Sequence, residues 1–155
     1  MKNATKPASI DKPHIIVVGG TSGLGLALAL HHQALGWQVS VVGHSTAKID
    51  RLNSQHPNII TYCCDLTDNA QTQSLLESLS NISFQRVIYS AGSYTNERVH
   101  HLSQADSDQM LAINLQAFEQ VFRWASEQLK HKMHRCQQVN SVVCRHLLGS
   151  SLMRL

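Results

Sequence analysis

The stretch "VVGGTSGLG" at residues 17–25 decides how this chain is read. Four glycines fall within nine residues, straight after an apolar run and just ahead of "LALALHHQALG". A strand that hands over to a helix gives up backbone rigidity when something must come close to that backbone. The first N–H groups of a helix are unpaired and the helix dipole adds positive potential there, so the junction is a natural seat for an anion such as phosphate. A pyrophosphate can approach only where no Cβ stands in the way, and the tight turn needs φ angles that glycine visits freely. Gly19, Gly23 and Gly25 answer those needs. A plain glycine turn is the competing reading, and the flanking pattern separates the two.

Outward from the glycines the pattern alternates. "HIIVVG" at 14–19 reads as a buried strand, 24–35 as a helix, "WQVSVVG" at 37–43 as a strand and 46–55 as a short helix. "NIITYCC" at 58–64 and "FQRVIYSAG" at 84–92 read as further strands, with a helix over 69–79 between them. A long helix follows over 107–132, whose Met110, Leu111, Ile113, Leu115, Phe118, Val121, Phe122 and Leu129 give a mostly apolar face. "QQVNSVV" at 137–143 offers a fifth strand. Continuously apolar strands alternating with helices imply parallel βαβ units, hence a doubly wound α/β sheet with helices on both faces. The polar residues 1–12 read as a leader, 13–143 as one Rossmann-type nucleotide-binding domain, and 144–155 as an atypical tail.

Composition narrows the function classes. The net charge of +3 comes from scattered Lys and Arg rather than a basic stripe, which argues against nucleic acid as a partner. No run of about 18 apolar residues could span a bilayer, and no h-region follows a basic start, so a soluble cytoplasmic protein is expected. Cys63, Cys64, Cys136 and Cys144 contain no C-x-x-C spacing and are expected to be reduced core thiols. Of the ten histidines, His31, His32, His100 and His101 are expected to face solvent. His131 and His134 stand three apart near a helix end, but no third ligand candidate stands near them, so no metal site is assigned.

"VGGTSGLG" at 18–25 resembles the T-G-x-x-x-G-x-G fingerprint of the short-chain dehydrogenase/reductase family, with Val18 where the family usually has Thr. Three further landmarks arrive in the family's order. "CCDLTD" places Asp65 after the third strand, "YSAG" at 89–92 is similar to the family's N-N-A-G with both asparagines replaced, and "INL" places Asn114 in the long helix. The resemblance implies cofactor contacts from Gly19, Thr21, Ser22, Gly23, Leu24 and Gly25, from Asp65 to the adenine ring, and from Leu66, Ala91 and Gly92. It implies that Asn114 holds a water in a proton relay. Taken singly, Asp65 could instead cap the next helix, "SAG" could be a turn, and Asn114 could be a solvated helix residue. The resemblance covers roughly residues 13–143.

In such folds an acidic residue ending the second strand bonds the ribose 2′-OH of NAD, whereas its absence beside a basic group suits the 2′-phosphate of NADP. "VVGHST" ends that strand without a carboxylate, leaving His44 and Ser45 to meet a phosphate. NADP is the expected cofactor, with NAD the alternative.

Carbonyl reduction in the family uses a Tyr hydroxyl as general acid, a Lys four residues later that lowers its pKa, and a Ser that orients the carbonyl. The last tyrosine here is Tyr94 and the last lysine Lys132, so no Y-x-x-x-K follows the fifth strand. Aligning Val139 and Asn140 with the family's V-N-x-S-S puts Val142 and Val143 at the serine positions and leaves Ser141 one or two places early. The codons of residues 140–146, read one base later, permit Ile-Val-Ser-Ser-Ala-Gly-Thr, which holds the family's V-S-S-A-G; a shifted frame would therefore account for the tail. The sequence-level expectation is a C-terminally incomplete oxidoreductase by descent, a carbonyl or alcohol as the substrate of the complete protein, and little or no turnover as given. Two alternatives stand beside it: a non-catalytic nucleotide-responsive binding protein, and a non-functional frameshifted fragment with an exposed sheet edge. The long helix resembles the family's oligomer-forming region, with Phe118, Phe122 and Trp124 around it, so a homo-oligomer is a further expectation.

Overall fold

The valine- and isoleucine-rich segments form the centre of a parallel sheet. The computed structural model describes residues 12–95 and 101–136, from residue 130 onward as backbone alone. β1 (His14–Val18) is buried along its whole length and pairs on one side with β2 (Gln38–Gly43) and on the other with β4 (Arg86–Tyr89). β3 (Ile60–Cys63) adds to the outside of β2, giving the order β3-β2-β1-β4 with every pair parallel. The chain thus builds outward from β1 to β3 and then returns to the other side of β1. That reversal is a topological switch point, where open α/β sheets leave a crevice at the carboxyl ends of their strands.

Strand alternation sends successive side chains to opposite faces. Ile15, Val17, Val39 and Val41 pack with Ala29 of α1 (Gly23–Ala34) and Leu52 of α2 (Thr46–Gln55). Ile16, Val18 and Val42 pack with Leu75, Leu76 and Leu79 of α3 (Asn69–Leu79), with Phe84, and with Val121, Trp124 and Ala125 of the last helix. The expected three-layer α/β arrangement is therefore present. β3 and β4 are shorter than the expected runs at 58–64 and 84–92: among the described residues their paired register with β2 and β1 covers 60–63 and 86–89.

The long helical region differs from the expected single helix over 107–132. It starts earlier, as α4 (Gln104–Leu111), because the Ser103 side chain accepts from the Asp106 N–H at 3.1 Å and caps it. It is then interrupted by one π-helical turn, Ala112–Ala117, before α5 (Phe118–Cys136). The expected apolar face divides in two. Ala117, Val121, Trp124 and Ala125 are buried, with Trp124 stacked on Phe84 at 5.1 Å, whereas Leu111, Leu115, Phe118 and Phe122 are exposed.

Two surface assignments are corrected. His32 is buried, because it continues the inward-facing spacing Gly25, Ala29, His32 of α1. Its Nδ1 lies 2.8 Å from the Leu28 carbonyl, its Nε2 lies 2.7 Å from Arg86 Nη1, and its ring meets Trp37 edge-on. Cys64 is buried as expected, but Cys63, at the end of an edge strand, is exposed. His31 and His101 are exposed. His100, the side chains of Cys136, His131 and His134, the strand expected at 137–143 with Ser141, and the segments 1–11 and 144–155 lie outside the described residues.

Candidate functional site

A cleft of about 910 Å³ opens at the switch point. It gathers Gly19, Thr21, Ser22, Gly23, Leu24, Gly25, His44, Asp65, Leu66, Ala91 and Gly92, which the sequence singles out from four separate segments. Ser45 and Asn114 adjoin it without being among its lining residues. Lining residues that the sequence reading did not single out include Lys48, one turn into α2 from His44, together with Ser90, Ser93 and Gln116. Lys48 was findable: it stands in the first turn of the helix that begins where β2 ends, at the edge where parallel strands open their cleft.

The glycines fit close approach rather than a loose turn. Gly19 has φ +83° and its missing Cβ would overlap the Ala91 backbone; a Cβ on Gly25 would overlap the Gly19 carbonyl and Ser90 Oγ. Gly23 has φ +55° with nothing within 4 Å of its absent Cβ, so what it supplies is conformation. The Gly19 and Gly20 N–H groups both donate to the Val42 carbonyl, at 2.9 and 3.2 Å, holding the turn against β2.

The helix starts carry the electrostatics. Ser22 stands at the N-cap of α1 in an extended conformation, yet its side chain caps nothing, and the first turn holds no acid. Ser45 stands likewise at the start of α2, with no side-chain cap bond and no acid in the first turn. Two uncapped helix starts beside one cleft leave backbone N–H groups for an anionic guest.

Asp65 is not the cap of the following helix. That role falls to Asp68, whose Oδ1 accepts from the Ala70 and Gln71 N–H groups at 2.8 and 3.2 Å. Asp65 instead closes its own short turn, accepting from the Thr67 N–H at 2.9 Å and the Thr67 hydroxyl at 2.7 Å. Those two bonds hold its carboxyl below the usual range, helped by the field of His44. Burial pushes the neighbouring Cys64 thiol up, so it stays protonated. Asn114, in the π turn, is exposed but not merely solvated: Oδ1 accepts from the Ser93 N–H at 2.9 Å and Nδ2 donates to the Ser93 carbonyl at 2.7 Å.

Parallel strands, helices on both faces and a glycine-walled cleft at the switch point define a Rossmann-type domain. Its residues suit a dinucleotide, since the glycine turn and the uncapped start of α1 line the cleft and the uncapped start of α2 adjoins it. The short-chain dehydrogenase family model matches residues 13–147, and the chain belongs to that family. It is 25% identical over 130 residues to the 3-oxoacyl-[acyl-carrier-protein] reductase FabG of Rickettsia prowazekii (strain Madrid E), covering 83% of this chain and 53% of that protein. It is 38% identical over 63 residues to a Bacillus subtilis (strain 168) protein named uncharacterized oxidoreductase DltE, covering 41% and 25%. In fold it is similar to a short-chain dehydrogenase from Sphingobium yanoikuyae in complex with NADPH, with a TM-score of 0.65 and 18% identity, covering 74% of this chain and 46% of that one. The chain spans about half the length of the reductase and of the solved structure. No helix among the described residues is long and apolar enough to cross a membrane.

Proposed function

We propose that this chain is the cofactor-binding half of an NADP(H)-dependent oxidoreductase, with hydride transfer between nicotinamide and a carbonyl or alcohol as the family's chemistry. The observation that carries this reading is the pair of uncapped, acid-free helix starts flanking the glycine turn, Ser22 on α1 and Ser45 on α2. Gly19, Thr21, Ser22, Gly23, Leu24 and Gly25 would hold the diphosphate, Asp65 would meet the adenine, and Leu66, Ala91 and Gly92 would complete the cofactor site.

Preference for NADP over NAD rests on the end of β2. Gly43, His44 and Ser45 offer no carboxylate to repel a 2′-phosphate, and Lys48 brings a cation to the same side of the cleft. When bound, the nicotinamide supplies the hydride chemistry. The residues of this chain bind and orient the nucleotide, and with no Tyr-x-x-x-Lys among residues 1–155 they hold no pair to move the substrate's proton. Binding without turnover is therefore expected of these 155 residues. The exposed stripe Leu111, Leu115, Phe118 and Phe122 supports self-association through the α4–α5 region. A cytoplasmic setting suits an exposed thiol such as Cys63.

Titration with NADPH and NADH, followed by nicotinamide fluorescence, tests the reading. NADPH is expected to bind about tenfold tighter, a difference of about 1.4 kcal/mol. Tighter NADH would overturn the cofactor assignment, and no binding of either at millimolar concentration would overturn the function.

A further inference from the structure

The end of β4 carries two hydroxyl side chains, Tyr89 and Ser90, where the family's motif has two asparagines, and each reaches a different wall of the cleft. Ser90 Oγ lies 3.1 Å from the Val18 carbonyl and 3.2 Å from the Gly19 carbonyl and donates toward both. The Ser90 N–H also donates to the Val18 carbonyl, at 2.8 Å. The Gly19 and Gly20 N–H groups are held on the opposite side by the Val42 carbonyl. The glycine turn is thus fixed from β2 through its N–H groups and, from the residue after β4, through the Gly19 carbonyl and the Val18 carbonyl that precedes it. The missing Cβ of Gly25 leaves the space that Ser90 Oγ occupies.

Tyr89 turns the other way. Its hydroxyl donates to the Ile113 carbonyl inside the π turn, and its ring meets Phe118 edge-on at 5.5 Å. A π turn departs from the regular i→i−4 bonding of the α-helix, and a side-chain donor can hold such a turn in place. Ala112, Ile113 and Gln116 of that turn line the cleft. Asn114 fastens the same turn to Ser93 through its two amide bonds. Burial pushes the Tyr89 phenol up to about 12, so it remains a donor over the whole range in which the protein would work.

We propose that Tyr89 and Ser90 are positioning residues that together set the width of the nucleotide cleft, Ser90 by fixing the glycine turn and Tyr89 by fixing the π turn opposite it. The proposal rests on the nucleotide-binding reading above. Neither hydroxyl needs to touch the ligand: both bonds are already made within the protein, and their removal would let the two walls move relative to the sheet.

The test is calorimetric titration of NADPH into the wild type, Ser90→Ala and Tyr89→Phe, with Kd and binding stoichiometry read separately and Tm recorded for each. Each variant is expected to bind about tenfold more weakly, at unchanged stoichiometry. A merely structural role would lower Tm and the bound fraction while leaving the Kd of the folded fraction as it was, and that result overturns the proposal. A wild type that binds no nicotinamide nucleotide overturns the nucleotide reading itself, whatever the variants do. If a variant does not fold, amide exchange of the wild type decides: added NADPH should slow exchange over 17–25 and 112–117 together, and slowing confined to one of them, or absent, contradicts the proposal.

Discussion

Among the described residues, the helices α1 to α4 begin in two ways. α3 and α4 are closed by their own side chains: Asp68 accepts from two backbone N–H groups, and Ser103 from one, with Asp106 adding a charge in the first turn. α1 and α2 start with serines at the same formal position, Ser22 and Ser45, yet neither side chain caps its helix and neither first turn holds an acid. A missing cap forfeits about 0.5–2 kcal/mol of helix stability. Both uncapped starts adjoin the cleft at the switch point, and both capped helices complete their ends from within the protein. The difference teaches where the chain stabilises itself and where it leaves backbone donors for a ligand.

The strongest way to break the contrast is to push the glycine turn off its seat against the start of α1. Gly25→Ala puts a Cβ into the Gly19 carbonyl and Ser90 Oγ, which should cost about 1–3 kcal/mol of stability through overpacking. NADPH affinity should fall about a hundredfold, about 2.7 kcal/mol, by titration of the folded protein. At α2, Ser45→Asp places a carboxylate where the 2′-phosphate is expected. The ratio of NADPH to NADH affinity should reverse, by about tenfold in favour of NADH. The reciprocal test is Asp68→Ala at the capped start of α3: Tm should drop by a few degrees while NADPH affinity stays within twofold.

A smaller effect is read at high pH. Half-buried Tyr89 keeps its proton to about 12 in the folded state, whereas an unfolded tyrosine releases it near 10. Above pH 10 the unfolded chain binds fewer protons, so this group's contribution to stability is complete below pH 10 and is lost as pH rises from 10 through 12. Tyr89→Phe should flatten that part of the denaturation profile relative to the wild type.

Much of the fold was legible because its signals are local. The helices at 46–55 and 69–79 and the alternation of buried strands with helices follow from period and composition, and the strand-glycine-helix junction carries its own chemistry in nine residues. The cleft residues from Gly19 to Gly92 come together because parallel strands bring every carboxyl end to one edge. What sequence did not carry is what depends on a partner distant in the chain. His32 is buried through Arg86 and Trp37, and Cys63 is exposed because β3 lies at the edge of the described sheet. The π turn has no periodic signature, and the use of the Tyr89 hydroxyl depends on it. Asp65 and Asp68 both precede a helix, and only the geometry tells the turn former from the cap.

The most direct test of the central claim, that the α1 start is left open for the phosphates of a nicotinamide nucleotide, is to supply the missing anion from the protein. Ser22→Asp should favour α1 by about 0.5 kcal/mol through the helix dipole and raise Tm slightly. In the same sample, titration should show NADPH affinity lowered tenfold or more by charge repulsion. Unchanged NADPH affinity in a folded Ser22→Asp protein would contradict the account, because the start of α1 would then not be where the nucleotide's charge is held.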